Sequence, residues 1–159
     1  MSGIVLVDTS ILLNVLDVEG RNERRETVLN ELGARIESGD HLFIPLSAII
    51  ETGNHIAHVS HGAARRSAAQ CFVQAVQDAL DSVAPWKPLN FPDHTDLAAW
   101  LLAFPESAKR KVGMGDVSIQ HEWRQLCAKF PMSKVSIWSV DADLQGYEYE
   151  PQRRQPRPK

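Results

Sequence analysis

Cysteine is scarce in this chain of 159 residues, which contains only Cys71 and Cys127. Two cysteines provide no disulfide framework, so we interpret both as buried thiols of a reduced protein. No apolar stretch approaches the roughly 18 residues that a membrane span needs. The opening MSGIVLVDTSILLNVL has an acid inside its apolar run and no basic start, unlike a signal peptide. We therefore expect a cytoplasmic protein with no membrane partner.

An excess of positive charge is also missing. There are 17 basic and 20 acidic residues, with a net charge of −3 and a pI near 6.1, which excludes binding of nucleic acid by bulk charge alone. The 43% of hydrophobic residues suffices for one core, and we predict a single domain over residues 1–150. Residues 151–159, PQRRQPRPK, form a basic, proline-rich tail that we expect to be flexible. This tail is either a solvated terminus or an arm that contacts nucleic acid or an acidic partner.

Short apolar runs typical of strands alternate with helical patterns along the chain. Strands are predicted at residues 4–7, 41–45 and 135–140, and a short last one around Tyr147 and Tyr149. Helices are predicted just after Asp8 and over residues 22–38, 47–59, 63–83, 93–104 and 116–130. Four prolines make the rest of the segment 84–112 irregular. This order predicts an α/β domain whose central, mostly parallel, twisted sheet is flanked by helices on both faces.

Four acids stand where a ligand site of an α/β domain is expected, beyond the carboxyl ends of the strands. Asp8 and Asp141 each follow a predicted strand, whereas Glu51 and Asp116 lie near the starts of predicted helices. Thr9 or Ser10 can cap the helix that follows Asp8, which leaves the Asp8 carboxylate for another role. Asp143 lies two residues after Asp141 and is an alternative to it. We expect these acids to meet at one edge of the sheet.

Grouped carboxylates need a partner of opposite charge. An ionised carboxylate is costly to bury alone, and two of them about 4 Å apart repel by roughly 4 kcal/mol at an effective dielectric near 20. Divalent cations relieve both costs. Because only oxygen ligands are at hand, with no cysteine or histidine at useful spacing, the sequence favours one or two Mg²⁺ or Mn²⁺ ions.

In these segments the sequence resembles the PIN-domain family of ribonucleases, and in particular the VapC-type toxins of bacterial toxin–antitoxin pairs. The resemblance spans most of residues 4–149. It rests on VDTSILL, SAIIETG, GMGDVSIQHEW and SVDADL, which follow one another in the order of the family. Around the last acid, Ser139 and Leu144 replace the Thr and Phe that the toxins more often carry.

The resemblance implies a PIN-like fold and a divalent-metal-dependent endoribonuclease that hydrolyses RNA phosphodiester bonds. It makes Asp8, Glu51, Asp116 and Asp141 the catalytic, metal-binding acids. Thr9 and Ser10 correspond to the hydroxyl residue that the family carries beside the first acid. The toxins further imply a homodimer and a small antitoxin that inserts near the acidic site. The family's chemistry needs no side-chain nucleophile, since metal ions activate a water and stabilise charge on the phosphate.

Other functions remain open at this stage. One alternative is a non-catalytic PIN-like module that binds RNA or regulates. Another is a phosphatase with Asp8 as the nucleophile, although such enzymes usually carry a second Asp where this chain has Ser10. The basic triplet Lys109, Arg110 and Lys111 is either solvated or contacts RNA phosphates. We interpret three histidines as surface residues and three tryptophans as packing residues: His55, His58, His61, Trp86, Trp100 and Trp123.

Overall fold

Strands and helices alternate along the computed structural model, which describes residues 2–152, so that most of the predicted tail lies outside the described residues. The strands are β1 Ile4–Val7, β2 His41–Ile44, β3 Trp86–Pro88, β4 Val135–Trp138 and β5 Glu148–Tyr149. The helices are α1 Thr9–Val15, α2 Arg25–Glu37, α3 Leu46–Ile56, α4 Gly62–Leu80, α5 His94–Lys109 and α6 Met114–Lys129. A 3-10 turn at Ala142–Leu144 follows β4.

These strands form one sheet in the order β3-β2-β1-β4-β5. β1 runs parallel to both of its neighbours, with Val5 opposite Leu42 on β2 and Ser136 on β4. β3 is parallel to β2, and only the short β5 is antiparallel, to β4. The predicted α/β class with a mostly parallel sheet is therefore confirmed.

Successive residues of β1 contribute to separate apolar clusters, because side chains alternate across a sheet. Val5 and Val7 pack in a cluster that includes Leu12 of α1 and Val28 of α2. Leu6 packs instead in a cluster with Ile119 of α6. Every residue of β1 is buried, as expected for a parallel strand covered by helices on both faces. The two layers of helices hold β1 at the centre of the domain.

The proline-punctuated segment contains more regular structure than the sequence predicts. Residues 86–88 form the edge strand β3, which is too short to show an alternating pattern and tolerates Pro88 at its end. Asp93 begins α5 as predicted, with a capping box to Asp96. The predicted end at Phe104 is wrong, because the helix continues through Pro105 for another turn. Proline costs a helix one hydrogen bond, but it does not end this one.

The packing predictions are confirmed for two tryptophans and are wrong for the cysteines. Trp86 and Trp100 are buried, as expected of packing residues. The interpretation of both cysteines as buried thiols is wrong, since Cys71 is exposed on α4 and Cys127 is half-buried on α6. Among the described helices, none is both long and apolar enough to cross a membrane.

Candidate functional site

The carboxyl ends of β1 and β4 bring two of the predicted acids to the same edge of the sheet. Asp8 directly follows β1, and its backbone N–H donates to the carbonyl oxygen of Trp138, the last residue of β4, at 3.0 Å. Asp141 follows β4 at that edge and begins the 3-10 turn, accepting from the Asp143 backbone N–H at 3.0 Å. Asp8 is buried, whereas Asp141 and Asp143 are exposed.

The Asp8 carboxylate is held through one of its two oxygens. Oδ2 accepts hydrogen bonds from the Ser139 hydroxyl at 2.7 Å, the Ser10 hydroxyl at 2.8 Å and the Ser10 backbone N–H at 3.3 Å. Asp8 is therefore itself the N-cap of α1, and the expectation that Thr9 or Ser10 caps this helix is wrong. No described residue donates to Oδ1. This oxygen remains available to a ligand.

Ser139 links the two strand-end acids, a role that the sequence did not reveal. Its hydroxyl donates to Asp8 and accepts from the backbone N–H of Asp141 at 2.9 Å. The Ser10 hydroxyl completes the link, since it accepts from the Val140 backbone N–H at 3.1 Å. The two hydroxyls thereby fix the separation of the β1 and β4 ends.

Glu51 reaches the same region from α3. Its Oε2 accepts from the Thr9 hydroxyl at 3.2 Å, which joins α3 to the start of α1. A Cβ atom at Gly115 would overlap the Glu51 carboxylate. Glycine before Asp116 therefore leaves room for the Glu51 carboxylate, which any larger residue at this position would displace. The glycine-rich GMGD segment was a visible signal, although the sequence did not show which side chain required it.

The acids perturb one another. Burial, and after it the charges of Asp141, Asp8, Glu51 and Asp143 in that order, raise the pKa of Asp116 to about 6. The pKa of Glu51 is raised chiefly by burial, with smaller effects from Asp8 and Asp141, against a lowering effect of the Thr9 hydrogen bond. Negative charge is therefore concentrated here at neutral pH, and a bound cation would stabilise it.

A cavity of about 220 Å³ contains the four predicted acids in its wall. Its lining consists of residues from α1, the loop after it, α3, α6 and the end of β4: Asp8, Thr9, Ser10, Leu13, Asn14, Arg21, Glu51, His55, Asp116, Val140 and Asp141. Asp143, the alternative to Asp141, is not in this lining. The basic triplet at 109–111 is exposed at the end of α5 and also lies outside the lining.

Two basic side chains in this wall were not predicted for the site. Arg21 comes from the loop after α1, where no sequence motif marked it. His55 is half-buried in α3, so its interpretation as a surface histidine is wrong, whereas His58 and His61 are exposed as expected. Burial lowers the pKa of His55, and the charges of Arg21 and His58 lower it further, against a smaller raising effect of Asp8. His55 is therefore largely neutral at pH 7.

The chemistry of the donors fits a hard divalent cation. The acids offer carboxylate oxygens, and Asp8 keeps one of its two without a hydrogen bond. Each of the four has charged neighbours among the others, and a cation would offset this charge. Within residues 2–152, however, no group of three or more His, Cys, Asp or Glu side chains is arranged to hold a metal ion as it stands. The acids share a cavity wall without converging on one point.

In comparisons with known proteins, no family model and no curated protein matches this chain. Its likeness to the PIN-domain family therefore rests on the four sequence segments and their order. The α/β architecture is compatible with that family, and the acids of the four segments border one cavity. Membership of the family stays a prediction.

Proposed function

We propose that this chain is a divalent-metal-dependent endoribonuclease that hydrolyses RNA phosphodiester bonds, and that it acts as the toxin of a toxin–antitoxin pair. The observation that carries the proposal is the wall of the acidic cavity, to which four separate segments contribute Asp8, Glu51, Asp116 and Asp141. Two of these acids have their pKa values raised by burial and by their neighbours, so negative charge is crowded at this point. The cellular role as a toxin comes from the resemblance.

Mg²⁺ or Mn²⁺, bound by the four acids, would supply a water of lowered pKa and positive charge against the phosphate. The chain's own hydroxyls orient the ligands. Ser10 and Ser139 hold Oδ2 of Asp8 and leave Oδ1 to bind, while Thr9 holds Oε2 of Glu51. These hydrogen bonds restrain two of the four carboxylates, and the other acids must move toward them to complete the site, since the four do not converge as they stand.

The RNA backbone needs positive charge next to these acids. Among the residues that line the cavity, Arg21 carries a full positive charge, and His55 lies in the same wall. We propose that Arg21 contacts a phosphate next to the one that is cut, through its planar pair of N–H donors. His55, neutral near pH 7, donates or accepts a hydrogen bond rather than adding charge.

The test is cleavage of a panel of short single-stranded and structured RNAs by the purified chain with Mg²⁺ or Mn²⁺. Asp116→Asn should reduce cleavage by roughly a thousandfold or more, because the site loses one charged ligand of the ion. EDTA should abolish cleavage. Asp78→Asn on α4 is the matched control, since its Oδ1 accepts a hydrogen bond from Gln74 that an amide oxygen can also accept. Undiminished cleavage by a folded Asp116→Asn variant would disprove this assignment.

A non-catalytic module that binds RNA or regulates is the second candidate. It is favoured by one observation, that no three acidic or histidine side chains of residues 2–152 are arranged to hold an ion. Calorimetric titration with Mn²⁺ separates the two proposals. Binding of Mn²⁺ that Asp116→Asn removes, together with RNA cleavage, supports the nuclease. RNA binding without Mn²⁺ binding or cleavage supports the module.

Protein partners belong to the same proposal. The resemblance implies a homodimer and a small antitoxin, and the exposed leucines 97, 101 and 102 of α5 are the kind of surface that a protein partner covers. Sedimentation of the purified chain, with Leu102→Lys alongside, would show whether α5 lies in a dimer. If the parent and Leu102→Lys both sediment with the mass of a dimer, α5 does not lie in the dimer contact.

A further inference from the structure

A different part of α6 holds a carboxylate that the proposed nuclease site does not use. Glu122 lies six residues after Asp116 and is 6% exposed. Neither of its oxygens has a hydrogen-bond partner in the described part of the chain. A buried polar group without a partner is destabilising, so native structures rarely leave both oxygens of a carboxylate in this condition. The position of Glu122 therefore requires an explanation of its own.

Glu122 lines a second cavity, of about 190 Å³, between α6 and the segment that leads from β3 into α5. Leu89, Phe91 and Leu126 give this cavity an apolar wall. Its polar lining comes from amides, acids and one lysine: Asn90, Asp96, Glu122, Gln125 and Lys129. The second cavity shares no lining residue with the acidic cavity at the strand ends.

The charge that acts on Glu122 is of its own sign. Burial, and to a smaller extent the charge of Asp96 on α5, raise the pKa of Glu122 to about 7. Asp96 is ionised, since hydrogen bonds from the Asp93 backbone and the Gln125 side chain lower its pKa. Lys129 does not offset this charge, because no salt bridge joins it to Glu122 in residues 2–152 and its Nζ lies 5.5 Å from the centre of the Phe130 ring.

We propose that the second cavity binds a guanidinium group on an apolar stem. After a rotation that turns the buried carboxylate of Glu122 into the cavity, its two oxygens, both without a partner, match the two parallel N–H groups of a guanidinium, whereas an ammonium offers no such planar pair. Asp96 adds negative charge at the same wall, and the apolar residues suit the methylene stem. The ligand is thus either a small guanidinium compound or an arginine side chain of a polypeptide.

The experiment is a titration of the isotope-labelled full chain with N-acetyl-arginine amide, followed by NMR. We expect saturable shifts in the backbone amides of residues 89–91 and 121–126. The neutral isostere N-acetyl-citrulline amide should give none, because it keeps the shape and loses the charge. Glu122→Gln should weaken binding by about tenfold or more, as expected for the loss of a charge-assisted pair. Glu106→Gln, an exposed acid on α5, is the matched control and should bind as the parent does.

Two further arms make the outcome decisive. Agmatine binding more tightly than an arginine-containing tripeptide would identify a small-molecule site, and the reverse order would identify a polypeptide site. Asp96→Asn, which leaves Glu122 in place, should weaken binding less than Glu122→Gln does. Equal shifts with the citrulline and arginine probes, or full binding by Glu122→Gln, would overturn the proposal. So would the absence of saturable shifts with every guanidinium probe.

Discussion

The acids of the two cavities differ in the hydrogen bonds that they accept. In the acidic cavity at the strand ends, Asp8 accepts three hydrogen bonds on one oxygen, and Glu51 accepts one from Thr9. In the second cavity, Glu122 accepts none from a described residue. The first arrangement holds two carboxylates in place at the wall of one cavity, whereas the second leaves one carboxylate without a hydrogen bond beside the like charge of Asp96. Two buried acids of the same chain, Asp8 and Glu122, thus differ in whether hydrogen bonds stabilise the ionised carboxylate.

The largest effect on stability should come from removing the ionisable carboxyl group of Glu122. A pKa of about 7 against an ordinary value of 4.5 means that the folded chain binds a proton that the unfolded chain releases. Stability should then fall as the pH rises from 4.5 through about 7, by at most about 3 kcal/mol from this group. Glu122→Gln, which cannot ionise, should match the parent in acid and become the more stable protein above pH 7.

Urea unfolding of parent and variant at a series of pH values measures this difference directly. Glu106→Gln on the same helix pair is exposed and should leave the pH profile of the parent unchanged. A stability difference between Glu122→Gln and the parent that does not vary with pH would show that the ionisation of Glu122 is not responsible. The lack of hydrogen bonds at Glu122 would then have no measurable effect on how its ionisation changes stability.

Gly115→Ala tests whether the position of Glu51 in the acidic cavity matters, without removing a charge. The new methyl group would overlap the Glu51 carboxylate, which must then move away from α6. We expect cleavage to fall by about a hundredfold, since a small displacement of a ligand is costly in catalysis. The stability of the fold should change little, because alanine favours a helix over glycine by up to about 1 kcal/mol.

Gly33→Ala provides the matched control for this substitution. Gly33 also lies within a helix, α2, but a Cβ there would meet nothing within 4 Å. It should raise the melting temperature slightly and leave cleavage unchanged. Full activity in Gly115→Ala would mean that the position of Glu51 has no influence on the reaction.

The fold was predictable wherever the pattern is local. The apolar runs at β1, β2 and β4 and the helical stripes between them sufficed for the α/β class. β3 was missed because three residues at a sheet edge carry no periodicity, and α5 was cut short because proline usually ends a helix. Local sequence patterns fail to predict an element where tertiary contacts or an edge position determine whether it forms and where it ends.

The candidate site was predictable to the same extent. Asp8 and Asp141 follow strands, and parallel strands bring such residues to one edge, so the sequence pointed to the cavity. It did not reveal Arg21, whose loop reaches the cavity only through the folding of α1. Nor did it reveal that Glu122, in the same helix as Asp116, has no partner. Neither property is carried by a local pattern of residues.

Ser139→Ala should produce the smallest effect of these substitutions. The Ser139 hydroxyl donates to Asp8 at 2.7 Å and accepts from the Asp141 backbone at 2.9 Å, so it positions two of the proposed metal ligands. Its loss should reduce cleavage by about tenfold, the equivalent of one hydrogen bond to a charged group. It should also weaken Mn²⁺ binding measured by calorimetry. Ser139→Thr keeps the hydroxyl and should restore both. If Ser139→Ala instead binds Mn²⁺ as the parent does, the hydroxyl link only stabilises the fold, and the hydrogen bonds at Asp8 do not prepare it for a metal.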